Sequence, residues 1–269
     1  MSFTSWQFAV FAVIVFAVYY FPPVRNIQVQ WLVFASLVFY GYGQPDLLPL
    51  LAVAVIGSYI FLVLALERRA LFLPLGIAFN LALLAFFKYK FLFLDPSPPA
   101  LTGFAPVDVL LRLPLPIGIS FFVFHNISLL VDLTRRQAPR PGLADVFLYI
   151  IFFPQLVSGP ITRADNFLPQ IKPKYIADVD AVEAAKWIVT GFFFKLYVAN
   201  NLNAMTTYLD FPLYQTLNPA DRWTLVVLYS FQIYADFFGY SAIALGLGLL
   251  FGYRLPVNFD LPYISRSFS

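Results

Sequence analysis

Long apolar windows, separated by short polar or proline-containing segments, dominate the chain. Five early windows contain no Asp, Glu, Lys or Arg, and three further candidates follow. A helix needs about 17–25 mainly apolar residues to cross a bilayer. The pattern therefore predicts an all-α polytopic membrane helix bundle with about eight membrane segments, some of them re-entrant. The windows are Met1–Val24, Asn26–Pro45, Leu47–Leu66, Ala70–Phe87, Leu113–Val131, Val146–Ile161, Trp187–Leu202 and Trp223–Tyr253.

The first and last windows each raise a question of their own. Met1–Phe21 is predicted to be a membrane helix and not a cleavable signal peptide, because no Lys or Arg precedes Arg25. Trp223–Tyr253 holds 31 residues, of which only Asp236 is charged. Its length fits either one long tilted helix or two shorter elements.

Composition agrees with a membrane protein and excludes a water-soluble one. Hydrophobic residues make up 61% of the 269 residues, the mean hydropathy is +0.78, and charged residues make up only 12%. Ordinary soluble domains contain about 25% charged residues. We expect residues 1–269 to form a single integral membrane unit with the lipid bilayer as its main partner. The absence of an internal repeat disfavours a secondary transporter.

The small positive charge does not indicate nucleic-acid binding. The net charge is +3 and the pI is about 9.0, but the basic residues lie in short loops, where membrane topology places them. Cysteine is absent and histidine occurs once, which excludes disulfides, thiolate metal sites and multi-histidine metal sites. We therefore expect no bound metal and no bound cofactor.

The single histidine, His125, is the first candidate for chemistry. At helical spacing it shares one face with Ser128 and Asp132, and Asn126 is its neighbour. A membrane-embedded imidazole can act as a general base on a hydroxyl. The alternative is a histidine that packs between helices and bonds to a neighbour. We favour this structural interpretation, because the His–Asp spacing of soluble acyltransferase motifs is absent.

Residues 152–170 are predicted to form a helix that prolines interrupt at membrane depth. Pro154 and Pro160 cannot continue a helix, and glycine lets the backbone bend. Unwound backbone in a membrane is tolerated only against protein or a water-filled cavity. The alternative is an ordinary proline-terminated helix whose arginine reaches the headgroups. The candidate lining residues are Gln155, Ser158, Gly159, Thr162 and Arg163, of which Arg163 is suited to attract an anionic donor.

Asp236 is the strongest physical anomaly of the sequence. A charge at the bilayer centre costs at least about 2.5–3.5 kcal/mol, so this carboxylate must face protein, water or a partner, or be protonated. Gln232, Asp236 and Tyr240 recur every four residues and form a polar stripe on one helix face. With Tyr234, they are candidate cavity-lining residues. The alternative is an interhelical hydrogen-bond network that orders the bundle.

Four long stretches carry a family resemblance. They are PIGISFFVFHNISLLVD (116–132), FFPQLVSGPITRADNFLPQI (152–171), FFFKLYVANNL (192–202) and YSFQIYADFFGYSAIALGLGLLFGYRLPVNFDLPYISRS (229–267). Together they resemble the membrane-bound O-acyltransferase family, in the branch that acetylates bacterial polysaccharides such as alginate. Their order and spacing resemble the N-terminal half of such a protein.

The resemblance implies a bundle of membrane helices around a funnel in the bacterial inner membrane. An acyl group from a cytoplasmic donor such as acetyl-CoA would cross through the funnel to an extracytoplasmic accepting protein or polysaccharide. In that family the catalytic histidine belongs to a later segment, so we expect no catalytic residue in residues 1–269. His125 lies outside the family's active-site histidine motif and receives no catalytic role.

Two functions follow as expectations. The first is an O-acetyltransferase of an exported polysaccharide, for which this chain supplies the front half of the funnel and needs a missing C-terminal half. The second is a non-catalytic membrane scaffold or export partner of a polysaccharide synthesis complex, which the lack of a convincing base in the chain favours.

Overall fold

The structure is a computed structural model that describes residues 1–93, 111–136, 139–259 and Tyr263. Within these residues the chain forms helices and turns and contains no β-strand, which confirms the prediction of an all-α membrane protein. The helices are α1 (Trp6–Tyr19), α2 (Gln28–Gly43), α3 (Leu48–Glu67), α4 (Arg69–Phe93), α5 (Ile119–Arg136), α6 (Leu143–Ile151), α7 (Ala164–Phe167), α8 (Ala181–Phe192), α9 (Asn200–Thr206) and α10 (Pro219–Leu250). A π-helical segment, Phe193–Ala199, joins α8 to α9.

Polar side chains and prolines fix the ends of these helices. Ser5 accepts a hydrogen bond from Phe8 N (3.2 Å) at the start of α1, and Asn218 accepts one from Asp221 N (2.9 Å) at the start of α10. Proline occupies the first position of α10, where its missing N–H costs nothing. The window Trp223–Tyr253 lies in one helix, the 32-residue α10, as far as Leu250, and does not form two elements.

Only some of the predicted membrane segments have the length of a span. Among the described residues, three helices are long and apolar enough to cross a membrane: Pro45–Glu67, Arg69–Lys90 and Pro219–Leu250. A fourth span exists if Trp6–Tyr19 and Pro22–Gly43 are one broken crossing. The prediction of about eight segments is thus not confirmed. The segment predicted over Val146–Ile161 is helical only as far as Ile151, where the nine-residue α6 ends.

The contacts divide the chain into two compact units, and the prediction of a single membrane unit stays a prediction. Unit 1 consists of residue 1, Phe21–Val157 and Ile161–Pro173. Its helices α2 to α6 pack around buried aliphatic and aromatic side chains. Polar pairs cross this core: Asn80 Nδ2 donates to Ser58 Oγ (2.9 Å), which joins α3 to α4.

Unit 2 consists of Ser2–Tyr20, Ser158–Pro160 and the described part of Lys174–Ser269. Two glycines let α8 and α10 approach each other closely. A Cβ on Gly191 would lie 2.6 Å from Gly239 O, and a Cβ on Gly239 would lie 2.8 Å from Gly191 O. Both distances are shorter than any side chain tolerates. This close approach positions the polar groups of the two helices next to each other.

Candidate functional site

His125 belongs to a buried hydrogen-bonded group in unit 1. The Thr162 N–H donates to His125 Nε2 at 3.3 Å, and the imidazole lies edge-on to the Tyr149 ring with 5.4 Å between centroids. The side chain of His125 is fully buried. On the same helix face, Ser128 Oγ donates to Asp132 Oδ2 at 2.7 Å. His125 Nε2 thus accepts a hydrogen bond from the backbone of the proline-broken segment, residues 152–170, and the structural interpretation of His125 stays a prediction.

The proline-broken segment is fastened by its own polar side chains. The helix α6 ends at Ile151, ahead of Pro154, as the sequence predicts. Gln155 Nε2 donates to Tyr149 O (2.6 Å), and Thr162 Oγ1 donates to Gln155 Oε1 (3.2 Å). Tyr149 Oη in turn donates to Thr162 O (2.8 Å). Gln155 and Thr162 are fully buried, so their polar groups stabilise the segment.

The other lining candidates of this segment have different environments. Ser158 is partly exposed and Gly159 is buried, and both belong to unit 2. Arg163 belongs to unit 1 and is exposed. These three residues and Gln155 do not all belong to the same unit, so their role as a cavity lining stays a prediction.

In unit 2, Asp236 has a basic partner. Lys195 Nζ lies 2.6 Å from Asp236 Oδ1, and the same ammonium lies 5.3 Å from the centroid of the Tyr240 ring. The Lys195 side chain is 17% exposed, whereas that of Asp236 is 57% exposed. Asp236 lies near the middle of α10, which is long and apolar enough to cross a membrane, and a carboxylate in the middle of a span is costly to expose to lipid.

The two remaining stripe residues have partners in different parts of unit 2. Gln232 Oε1 accepts a short hydrogen bond from Thr206 Oγ1, and Gln232 Nε2 donates to Asn203 Oδ1 at 2.8 Å. Tyr240 stacks on Phe3 with 4.3 Å between ring centroids. The stripe predicted from the four-residue spacing is therefore present, and each member has a polar or aromatic partner.

Tyr234 lies on the same helix but belongs to an aromatic cluster. Its ring stacks on Phe238 at 5.6 Å and lies edge-on to Tyr263 at 5.6 Å. Phe238 in turn packs edge-on against Phe194 at 4.8 Å. Tyr234 is two positions from Gln232 and two from Asp236, which is about 200° of turn on an α-helix, so it lies on the other side of α10 from the stripe, and its role as a lining residue stays a prediction.

The backbone of the α8–α10 contact explains how Lys195 reaches Asp236. The glycine contact brings the helices together one turn before Lys195, and a Cβ on Gly239 would lie 2.8 Å from Lys195 N. At this point α8 widens into the π-helical segment, which shifts the register of the side chains that follow. π-Helical segments occur frequently at functional sites.

Sequence reasoning missed the partners in this group. Lys195 comes from the π-helical segment, and Asn203 and Thr206 come from α9. Lys195 is 41 residues from Asp236 along the chain. The available signal was Lys195 itself, the one charged residue of the window Trp187–Leu202. Among the described residues, no group of three or more His, Asp or Glu side chains could hold a metal ion.

Comparison with known proteins identifies the family. Residues 34–269 match the family model described as MBOAT, the membrane-bound O-acyltransferase family. The chain belongs to the membrane-bound O-acyltransferase family.

Individual relatives agree with this assignment. The chain is 34% identical over 275 residues to the probable alginate O-acetylase AlgI of Pseudomonas aeruginosa, which covers 99% of the chain and 52% of the relative. It is 32% identical to the peptidoglycan O-acetyltransferase of Helicobacter pylori, over 87% of the chain and 50% of the relative. It is 31% identical to the teichoic acid D-alanyltransferase of Streptococcus thermophilus, over 56% of the chain and 38% of the relative.

The family match and the apolar helices make the chain an integral membrane protein, and its named relatives are called acetylases or acyltransferases of alginate, peptidoglycan and teichoic acid. The chain spans about half the length of the alginate O-acetylase and of the peptidoglycan O-acetyltransferase that it matches. The matched region includes the second half of α2 and all of α3 to α10, and therefore both the His125 group and the Lys195–Asp236 pair.

Proposed function

We propose that this membrane-bound O-acyltransferase family member forms the front part of an acyl-transfer funnel in the bacterial inner membrane. In this proposal, acetyl groups from a cytoplasmic donor such as acetyl-CoA pass toward an exported polysaccharide or an extracytoplasmic accepting protein. The catalytic base comes from outside residues 1–269. The chain supplies polar wall residues and holds them in place.

The observation that supports the proposal best is the half-exposed carboxylate of Asp236 in the middle of a span. Within unit 2, only the Lys195 side of the Asp236 carboxylate is covered. The exposed side of Asp236 needs water or further protein, because lipid cannot solvate a carboxylate. A water-filled funnel wall satisfies this need, and Gln232 and Tyr240 continue the same face.

The named relatives support the substrate class. Two of them are called O-acetylase or O-acetyltransferase, and their names give alginate and peptidoglycan as the modified polymers. The identity to these proteins extends over most of the chain. We infer a polysaccharide acceptor with free hydroxyl groups, and an acetyl group as the transferred unit.

A non-catalytic scaffold is the second candidate, and the burial of the only histidine favours it. His125 is fully buried with Nε2 bonded to Thr162 N, so within the described residues no histidine is accessible to a substrate hydroxyl. A scaffold would support the amount of polymer that the cell exports and not its acetylation.

Deleting the reading frame in the source bacterium separates the two candidates. The exported polysaccharide is purified and its O-acetyl groups per sugar are measured by proton NMR, together with the total yield. The transferase predicts loss of acetyl groups at an unchanged yield, with recovery when the frame is restored. The scaffold predicts a lower yield with unchanged acetylation per sugar, and that result would overturn the proposed function.

A further inference from the structure

A cavity in unit 2, whose lining does not include the Lys195–Asp236 pair, has the character of a ligand site. Its volume is about 360 Å³, and it opens where α8 begins and α10 ends. The segment before α8 and the segment after α10 form its mouth. None of the residues singled out for the acyl-transfer funnel lines it.

The mouth of the cavity is acidic. Asp178, Asp180 and Glu183 contribute carboxylates, and Arg254 contributes the one basic side chain of the lining. Asp180 Oδ1 caps α8 by accepting from Glu183 N (3.0 Å), and Glu183 forms an exposed pair with Lys186 at 3.3 Å. Helix capping thus accounts for the Asp180 carboxylate and, together with the pair to Lys186, partly for that of Glu183. It does not explain Asp178, which precedes the cap on a 3₁₀ turn and is exposed.

The floor of the cavity is apolar. Trp187 from α8 and Leu245 and Leu249 from α10 line it, and Leu255 and Val257 close it from the segment after α10. Leu255 and Leu245 are buried, whereas Val257 is 57% exposed. An acidic mouth above an apolar floor fits a ligand that has a cationic head and a hydrocarbon tail.

The wall behind the mouth is rigid. The chain turns out of α10 at Gly252, whose φ of +76° favours glycine, and Tyr253 N donates to Gly248 O at 2.8 Å. Lys174 Nζ donates to Gly252 O (2.7 Å) and lies 4.8 Å from the centroid of the Tyr253 ring. This lysine is therefore part of the wall.

The position of the cavity along α10 indicates its level in the membrane. Pro219–Leu250 is one of the candidate spans, and the cavity lies at its C-terminal end. The end of a span lies at the level of the lipid headgroups. Tryptophan, present here as Trp187, is enriched at the same level.

We propose that this cavity binds the headgroup of a membrane lipid in which a primary ammonium lies next to a phosphate. The ammonium donates to the carboxylates of Asp178 and Glu183, the phosphate meets Arg254, and the acyl chains run along the apolar floor. A primary ammonium has three donors and so satisfies several carboxylates at once. A metal ion fits less well, because the described acidic side chains do not converge into a group that could hold one.

The test measures lipid binding to the purified 269-residue chain by native mass spectrometry. Phosphatidylethanolamine, phosphatidylglycerol and phosphatidylcholine with identical acyl chains are offered separately. We expect phosphatidylethanolamine to bind at least about fivefold more tightly than either of the others. Equal binding of phosphatidylglycerol, which lacks the ammonium, would overturn the proposal. Equal binding of phosphatidylcholine would overturn the requirement for N–H donors.

Variants locate the lipid within the chain. Asp178→Asn combined with Glu183→Gln removes two mouth charges at little steric change, and should abolish the preference for phosphatidylethanolamine. Asp46→Asn, an exposed carboxylate in unit 1, is the matched control and should keep it. If the double variant does not fold, as judged by gel filtration, the single Asp178→Asn change at an exposed position replaces it. Retention of the preference in a folded mouth variant would assign the lipid to another site.

A competition arm separates a membrane lipid from a soluble molecule with the same headgroup. Free phosphoethanolamine is added at millimolar concentration to the lipid-bound chain. Because it lacks acyl chains, it gains nothing from Trp187 and Leu249 and should leave the lipid in place. Displacement at that concentration would assign the cavity to a soluble ligand and overturn the membrane-lipid proposal.

Discussion

Lys195 and Asp236 form an ion pair of 2.6 Å between the π-helical segment and the middle of the longest span, with the lysine largely covered and the carboxylate half exposed. Lys195 supplies the opposite charge that a carboxylate within a membrane span needs. The side of the Asp236 carboxylate that Lys195 does not cover stays exposed. Asp236 thus has two roles in the account: its bond to Lys195 holds α10 in place, and its exposed side lines the proposed funnel.

Breaking this ion pair should destabilise the chain. Asp236→Leu leaves Lys195 as an uncompensated charge in a span, and we expect a loss of about 2–3 kcal/mol in the free energy of unfolding. Lys195→Met with Asp236→Leu should cost less than the sum of the single changes, which a double-mutant cycle of thermal unfolding in detergent measures. The exposed pair Glu183–Lys186 is the control, with about 0–1 kcal/mol expected. Equal coupling energies for both pairs would contradict the special role of Lys195.

Adding a methyl group at Gly191 should force α8 away from α10. The new Cβ of Gly191→Ala would lie 2.6 Å from Gly239 O and 2.7 Å from Ile243, and both helices must shift. We expect about 1–3 kcal/mol of destabilisation. Gly43→Ala is the matched control, because no atom lies within 4 Å of its Cβ position. Thermal unfolding of the two variants side by side measures the difference, and similar melting temperatures would show that the close contact is not required.

His125 should matter for folding and not for chemistry. His125→Ala removes the acceptor of Thr162 N and leaves a cavity, so we expect a loss of about 2–4 kcal/mol in the free energy of unfolding. His125→Gln keeps an acceptor at similar reach and should lose less. The measurement is acetylation of the exported polysaccharide per amount of folded protein in the source bacterium. A folded His125→Gln protein without acetylation would contradict the structural interpretation.

Arg163 should act on donor binding if it attracts an anionic acyl donor. Arg163→Gln removes an exposed charge, so folding should be unaffected. We expect the apparent KM for the donor to rise several-fold while kcat stays unchanged, since the interaction is the same in the ground state and the transition state. Lys172→Gln, a nearby exposed basic residue, is the control. An unchanged KM in the Arg163 variant would remove this residue from the funnel.

Much of the local structure follows from the sequence because it depends on short-range signals. Pro154 ends the helix before it, and Asn218 with Pro219 begins α10, as capping rules require. The four-residue spacing of Gln232, Asp236 and Tyr240 correctly places them on one face. The need of Asp236 for a partner follows from the cost of burying a charge, without any knowledge of the fold.

The identity of partners depends on tertiary contacts that periodicity does not contain. Lys195 meets Asp236 only because two glycines let α8 and α10 touch and because α8 widens into a π-helical segment. The same limit applies to Gln155. Its position beside a broken helix predicts a cavity lining, but the structure bonds its amide to Tyr149 and Thr162. A polar residue in an apolar segment needs a partner, and the sequence does not say whether that partner is water or protein.

The most direct test of the proposed function follows the acetyl group itself. Membrane vesicles from the source organism receive acetyl-CoA with a radiolabelled acetyl group on the cytoplasmic face, and the label in the polysaccharide is counted. The account predicts label in the polymer that mild base removes as acetate. It predicts a strong reduction in vesicles that carry Asp236→Asn at normal abundance. Equal labelling in vesicles from the deletion strain would show that this chain takes no part in acetyl transfer.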